Sequence, residues 1–545
     1  VTTQAKSWPF QEARSLLKHI EKKGKKPGDV VTFETGYGPS GAPHIGTFAE
    51  VVRTLWVMKA FDTLTDKAYQ TRLIMFSDDY DAMRKVPDGM PAWMQDYLGK
   101  PLSTVPNPYP EMDECVANDA DQYAGSFAGA NNDRLVRFVD DILKTYDGSV
   151  VGSSPDRSRV SFVSSSDYYR SGKFNEMLDR IWDNYDAIQG VMLPTLGEER
   201  RATYSPFMPL FEGRLLNEGV SREMVIPGRQ LTWETGRDDV TAVTSPTGNG
   251  RSKLQWKVDW AMRWAHFDVD YEMSGKDLID SVTASRKICR AIGGTPPVGM
   301  TYELFLDAEG KKISKSKGNG FSIEDWLSYG SKESLMLFLF QKPTASKPIH
   351  IDLVPKMEDD YLKMLGRPLT PNDAAWFFTE NGIAEPIVDV AYSLLLNLSV
   401  VSQASDAETL VSYLEQSRPL DFQQRLQVLI KANKVIRYAT ERGLYDRECR
   451  EPTVQEADAF IDLATRLEAM LPNMTADHYQ YQVYEVGKAH GFEPLRSWFQ
   501  ALYECLLGSS DGPRFGAFIE AYGLENCINI LRIRAGVLIE EEEIV

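Results

Sequence analysis

The chain has 545 residues, with 78 acidic against 60 basic side chains and a formal charge of −18. That length allows about three or four domains with ample cores, and ordinary shares of charged (25%) and aromatic (11%) residues exclude a disordered or fibrous protein. The acidic surplus excludes a protein that coats nucleic acid by bulk charge, while leaving room for local basic tracks.

The opening residues, VTTQAKSWPF, lack the apolar core of a secretory signal. No apolar run approaches the roughly 20 residues that span a bilayer, so a cytoplasmic protein without a membrane partner is expected. A start at Val1 suggests a processed or trimmed chain. Residues 6–26 hold seven Lys or Arg against two Glu in a helix-like stretch, which reads either as a solvated first helix or as a phosphate contact. The run VVTFET (Val30 to Thr35) then reads as a buried strand. It is cut by GYGPSGAP, and from His44 the apolar residues Ile45, Phe48, Val51, Val52, Leu55 and Met58 have helical spacing. Strand, glycine-rich loop and helix form the first half of a parallel βαβ unit.

A second strand, LIMFSDDYD (Leu73 to Asp81), stops in carboxylates. From about Pro87 to Gly250 the text is irregular, with helical patches such as NDRLVRFVDDILKTY and FNEMLDRIWDNYDAI, and reads as an insertion between two halves of a sheet. Strand and helix resume at Trp256 and lead through turns to KKISKSKGNG at 311–320. Beyond Pro355 the three- and four-residue apolar spacing is almost wholly helical. The five cysteines (Cys115, Cys289, Cys449, Cys505, Cys527) are too scattered for a tetrahedral thiolate site, so reduced thiols and no structural zinc or other metal are expected.

Two stretches carry chemistry. In Gly36-Tyr37-Gly38-Pro39-Ser40-Gly41-Ala42-Pro43-His44-Ile45-Gly46-Thr47, glycines permit close backbone approach and the start of the next helix offers N–H groups to an anion. His44 at that start can donate to phosphate oxygens, and Gly46 leaves room for a flat base. The spacing fits neither GxxxxGK[ST] nor a true GxGxxG, because Pro39 interrupts it. The second stretch, Lys311 to Asn319, has four lysines in seven residues alternating with small hydroxyl residues, which suits a loop wrapping a polyphosphate. Either feature alone is a common structural turn.

Together, PHIG after the first strand and KISKS after the last resemble the paired signatures of class I aminoacyl-tRNA synthetases. ETGYGPSGAPHIGTFAEVVRT, DDYDAMRKVP, SDYYRSGKF, LPTLGEERRATYSPF, LQWKVDWAMRWAHFDVDYEMSGKDLIDS and KKISKSKGNG narrow this to the class I lysyl-tRNA synthetase family, and YQVYEVGKAHGFEPLRSWFQALYECLLGSSDGPRFG extends the resemblance into the C-terminal region.

The resemblance implies an α/β fold. A Rossmann-type parallel-sheet catalytic core would occupy 1–86 and 251–300, with an inserted connective, acceptor-binding region at 87–250. A signature-loop and stem-contact region would span 301–354, and an all-α anticodon-binding region 355–545. It implies that lysine is activated with ATP·Mg²⁺ as substrate and transferred to tRNA(Lys). His44, Lys312 and Lys315 would carry catalysis. Pro39, Ser40, Gly41, His44, Gly46, Thr47, Gly275, Asp277, Ile313, Ser314, Lys315 and Ser316 would hold ATP. Thr47 stands where the family motif has its second histidine, Ile313 replaces the usual methionine, and Leu278 follows SGKD where other members have histidine.

Gly36, Trp256 and Tyr302 would form the lysine pocket, with Asp78 and Asp79 beside Asp81 and Glu34 as candidates for the ε-ammonium or, alternatively, for pairing with Arg84. A buried ammonium requires such a partner, and an aromatic wall suits its carbon stem. Trp260, Trp264 and His266 read as core residues. Arg514, Phe515 and the aromatics around Tyr479–Tyr484 either stack on unpaired bases or pack between helices. A tRNA-independent adenylate-forming ligase or nucleotidyltransferase is the alternative, disfavoured by the helical C-terminal region.

Overall fold

The computed structural model describes the chain except residues 1–3, 110–124, 147, 226–227, 235–240, 245–247, 312, 314–320, 380–387, 472–473 and 538–545. It divides into two compact units, one of residues 1–323, 336–350 and 368–383, the other of 324–335, 351–367 and 384–545.

The first unit is built on a parallel sheet. Helix α1 (Trp8–Lys23) buries Phe10, Ala13, Leu16 and Ile20, a stripe at three- and four-residue steps. Part of its basic run is spent internally: Lys23 and Lys25 both pair with Asp270, whose side chain is fully buried, at 2.7 and 2.5 Å. Strand β1 (Val30–Tyr37) follows, then α2 (Ile45–Leu64), β2 (Gln70–Ser77), β3 (Val160–Ser164), α3 (Trp256–His266) and β4 (Val269–Tyr271). Helix α2 is apolar nearly all round and is buried accordingly, from Ile45 to Phe61.

The strands lie in the order β4-β1-β2-β3, all parallel. β1 pairs with β2 from Val30–Gln70 to Tyr37–Ser77, and with β4 through Thr32–Val269 and Phe33–Tyr271. The chain thus builds outward from β1 on one side and later returns to its other side. Open parallel sheets bind ligands at that reversal, beyond the carboxyl ends of the strands. Here those ends carry residues 36–44 and 272–275.

The stretch 87–250 is not wholly an insertion, because β3 belongs to the parallel sheet; the rest of it is more ordered than its composition suggests. It holds the helix Phe127–Tyr146 and the helices Asn175–Asp183 and Tyr185–Met192, and with Ser252–Leu254 two three-stranded antiparallel sheets. One of these, Val220–Val225 with Gly228–Glu234 and Thr241–Thr244, escapes sequence reading because Arg222 and Arg229 interrupt its apolar pattern. Both arginines instead pair with helix carboxylates, Arg222 with Asp186 and Arg229 with Asp183, each at 2.7 Å.

The second unit is helical among its described residues. Tyr392–Ser402, Ala407–Ser417 and Phe422–Glu441 share one core, and the helices from Val454–Glu468 to Leu524–Arg534 share another. Capping boxes start the helices Phe422–Glu441, through Asp421 with Gln424, and Val454–Glu468, through Thr453 with Glu456. Phe515 and Tyr479 are buried in the second core, whereas Tyr481 and Tyr484 are exposed. Arg514 pairs with Asp477 at 2.7 Å.

Candidate active site at the sheet's topological reversal

β1 ends at Tyr37, and the loop that follows delivers His44 to the start of α2. His44 has extended backbone angles and caps the helix with its own ring: Nδ1 accepts from the Gly46 N–H at 3.0 Å and from the Thr47 N–H at 3.3 Å. An accepting Nδ1 places the proton of the neutral imidazole on Nε2, the nitrogen that can donate to an anion. A Cβ on Gly46 would lie 2.8 Å from the His44 ring. The ring that occupies the space over Gly46 is therefore the histidine itself, where the sequence suggested a flat base. Residues bracketing the basic loop also reach this helix start: the Ile45 N–H donates to the Phe321 carbonyl at 3.2 Å, and His44 bridges to Ser322. Ile313, on the other side of the loop, is buried and hydrogen bonds back to Phe305 at 3.3 Å. Lys312, Ser314, Lys315 and Ser316 lie outside the described residues.

A cleft of about 220 Å³ opens at this point. It brings together Gly36, His44, Gly46, Thr47, Asp277, Tyr302 and Ile313, all singled out in the sequence, and adds Glu50. Gly275 sits behind Asp277, where a Cβ would come 2.7 Å from Asp277 Oδ1. Of the loop, Ser40 is exposed and faces the neighbouring chamber, while Pro39 and Gly41 are buried; the Pro39 carbonyl accepts from Asn131 at 3.2 Å.

Behind Gly36 lies a buried charge cluster. A Cβ on Gly36 would stand 3.3 Å from Arg263 Nη2 and 3.6 Å from Glu272 Oε1, so glycine here lets the cluster approach the backbone. Arg263, on α3, donates to Asp78 at 2.7 Å and forms an ion pair with Glu34 at 3.0 Å that lacks hydrogen-bond angles. Asp259 lies 3.8 Å from it. Glu272 accepts from the indole N–H of Trp260 at 2.8 Å and from that of Trp264. Four carboxylates (Glu34, Asp78, Asp259 and Glu272) thus bear on one guanidinium.

The imbalance is visible in protonation. Burial, reinforced by Glu272, drives the Glu34 carboxyl well above its usual range, and burial raises Glu272. Burial likewise lifts Asp78 to about 7 against the pull of Arg263, and Asp79 to about 6. For Arg263 the sign reverses, because the carboxylates outweigh its desolvation and hold it charged. Arg84 takes no part, since Asp78 pairs with Arg263 and Asp81 with Lys253 at 2.7 Å.

Asp79 is oriented away from this cluster. Its oxygens accept from the Ser164 hydroxyl at 2.6 Å and the Ser166 N–H at 2.7 Å, tying β2 to the helix Ser165–Arg170. Trp256 stacks on Trp260 and lines two larger chambers, about 500 and 700 Å³. The smaller also holds Ser40 and Asp78 and shares Gly38 with the cleft. Trp260 and Trp264 are buried as expected, and His266 packs against Tyr168, Phe174 and Phe267. Sequence reasoning missed Arg263, Glu272 and Glu50. A charge inside the apolar strand text VDYEM and another inside WAMRW were the available signals.

Among the described residues no group of three or more His, Cys, Asp or Glu is arranged to hold a metal ion, and Cys115 lies outside them. No described helix is long and apolar enough to cross a membrane.

A lysine–tRNA ligase from Roseobacter denitrificans is 38% identical over 99% of this chain and 98% of its own. Lysine–tRNA ligases from Rickettsia bellii and Rickettsia felis are each 37% identical over 97% of this chain, and over 98% and 97% of their own. Among solved structures, a glutamate tRNA ligase from Elizabethkingia meningosepticum aligns with 93% of this chain and all of its own at 11% identity and a TM-score of 0.35, too loose a likeness to add to the fold described above. The family model of the class I (K) tRNA synthetases matches residues 6–375. With that match over most of the chain and relatives of such identity along nearly its whole length, the chain belongs to the class I (K) tRNA synthetases.

Proposed function

We propose that the protein is a lysine–tRNA ligase whose acidic cleft floor selects a cationic amino acid. The observation that carries the amino-acid choice is the surplus of the carboxylates Glu34, Asp78, Asp81, Asp259 and Glu272 behind Gly36 over the two cations among them, Arg263 and Lys253. Such a floor is costly when empty and is relieved by an ammonium group. A glutamate side chain would add a further negative charge to it.

The lysine carboxylate attacks the α-phosphate of ATP·Mg²⁺ in line, giving lysyl-adenylate and pyrophosphate. The 2′-hydroxyl of the 3′-terminal adenosine of tRNA(Lys) then takes the lysyl group, and AMP leaves. No protein nucleophile is needed; the chain positions the reactants and neutralises developing charge. The Nε2–H of His44, whose Nδ1 already takes the Gly46 and Thr47 N–H groups, would meet phosphate oxygens, together with Lys312 and Lys315. Gly46 makes room for the imidazole. Ser40 and Thr47, with Ile313, Ser314 and Ser316, would line the nucleotide, Pro39 and Gly41 would shape the loop, and Gly275 and Asp277 would hold the ribose, whose hydroxyls a carboxylate accepts. Gly36, Asp78, Trp256 and Tyr302 would receive lysine, while Asp79 positions the end of β2. The mainly helical residues from 355 onward would grip the anticodon, with exposed Tyr481 and Tyr484 available for stacking. The insertion at 87–250 would receive the acceptor end, and 301–354 the signature loop and stem.

The test is ATP–pyrophosphate exchange with each of the twenty amino acids, with and without tRNA. Exchange driven by lysine is expected; exchange driven only by glutamate or cysteine overturns the proposal.

A further inference from the structure

The helix Phe127–Tyr146 comes from the stretch between β2 and β3, yet two neighbouring residues near its start reach the ends of both central strands. Asn131 and Asn132 are buried, at 0% and 5% exposure. The Asn131 amide nitrogen donates to the Pro39 carbonyl at 3.2 Å, in the loop after β1, and the Asn132 amide oxygen accepts from the hydroxyl of Ser77, the last residue of β2, at 2.9 Å. The helix that carries them is held by its own contacts. The Phe127 N–H donates to the Val105 carbonyl at 2.7 Å, the Ser126 hydroxyl accepts from the Gly129 N–H at 2.9 Å, and Phe138 meets Phe48 of α2 edge to face at 4.4 Å.

The partners fix which way the Asn131 amide faces. A proline carbonyl only accepts, so the nitrogen must face Pro39, and the oxygen accepts from the Tyr109 hydroxyl at 3.1 Å. Tyr109 packs in turn beneath the Arg134 guanidinium, 4.4 Å from its ring centre. These contacts hold the middle of a loop whose ends are already secured. Gly36 and Tyr37 pair with Phe76 and Ser77 in the β1–β2 ladder, while Ile45 bonds to Phe321 at the start of α2. Between them Pro39, Gly41 and Pro43 are buried and Gly38, Ser40 and Ala42 exposed. The loop is thus anchored through Pro39 on one side and presents Gly38 and Ser40 to the neighbouring chamber on the other. Loss of Asn131 would take a donor from a buried carbonyl and favour movement of the loop toward water.

We propose that Asn131 is a positioning residue for adenylate formation: by holding the Pro39 carbonyl it sets where Gly38 and Ser40 meet the nucleotide. The inference rests on the proposed assignment of this loop to ATP. The helix Phe127–Tyr146 thereby becomes part of the activation site, and its second bond, from Asn132 to Ser77, serves to seat the helix on the sheet.

The test is lysine-dependent pyrophosphate exchange, with tRNA(Lys) present, by wild type, Asn131→Ala and Asn132→Ala, which make the same truncation at adjacent buried positions. Asn131→Ala is expected to lower kcat/KM for ATP by ~30-fold while KM for lysine moves less than ~2-fold, as a small misplacement of binding groups produces. Asn132→Ala should change kcat/KM for ATP less than ~3-fold, although its thermal midpoint falls as far. Tyr109→Phe, which removes the bond that orients the amide, should lower kcat/KM for ATP by ~3-fold in wild type and no further in Asn131→Ala. Unchanged kcat/KM for ATP in Asn131→Ala, an equal loss in Asn132→Ala, or an equal rise in KM for lysine each overturn the inference. If Asn131→Ala fails to fold, Tyr109→Phe carries the same reading, and a loss shared by ATP and lysine or no loss at all overturns it. Wild-type enzyme that does not exchange with lysine would instead overturn the substrate assignment, and His44→Ala with unchanged kcat would overturn the assignment of the loop to ATP.

Discussion

The two ends of the cleft are made of different materials. At the end of His44 stands an imidazole fixed by the helix start that it caps and by a glycine that lets the ring fold over it, with the Gly46 and Thr47 N–H groups committed to its Nδ1. At the end of Gly36 they are buried carboxylates whose charge depends on what else is present. The first end is set before any ligand arrives, as charge stabilisation of a transferring phosphoryl group requires. On the proposed function the second is relieved only when a cation enters, so that substrate binding and substrate choice become the same event.

The sharpest way to break the contrast is Arg263→Met. It removes a cation that four carboxylates share and should cost about 3–5 kcal/mol of stability, measured by chemical denaturation. A loss below 1 kcal/mol would mean that those carboxylates are already neutral in the folded protein. Next in size, His44→Ala should lower kcat for pyrophosphate exchange by ~10²–10³ with little change in KM for lysine, as expected of a donor used mainly in the transition state. Gly46→Ala should follow in the same direction, because its methyl group would collide with the ring. If either change raised KM for lysine as much as it lowered kcat, the two ends would not be separable.

Trp256→Ala tests the other end and should raise KM for lysine by roughly 10-fold, and more than KM for ATP. The smallest effect is on pH dependence. Glu50, Asp78 and Asp79 have folded-state values of about 8, 7 and 6, above those of free carboxyls. The folded chain therefore binds more protons than the unfolded one, and their contribution is lost as pH rises through 6 to 8. The thermal midpoint of wild type should fall across that window, and less steeply with lysine bound.

The phosphate end was readable in the sequence because its parts are local. A β-branched strand, a glycine-rich turn and a histidine at a helix start lie within 20 residues, and β1, α2 and β2 form where periodicity places them. The carboxylate end was not readable, because Glu34, Asp78, Arg263 and Glu272 meet only through the crossing of the chain back to β1. Asp78 and Asp79, adjacent in sequence, illustrate the point. One faces Arg263 and the other caps the helix after β3, a division made by the turn that follows β2 rather than by residue type. The insertion's antiparallel sheets were hidden for a related reason, since Arg222 and Arg229 are placed for partners on distant helices.

The strand order also sets a timetable for synthesis. β1 lies inside the finished sheet, yet its neighbour β4 comes more than two hundred residues later in the chain. At ribosomal rates β1 must wait on the order of ten seconds or more with one edge unpaired. An exposed edge invites pairing with other chains, but the side chains along it include Glu34, which remains ionised in water until α3 and β4 bring Arg263 and enclose it. The carboxylate that ends buried beside Arg263 would thus also keep the nascent sheet apart from its neighbours while it is incomplete.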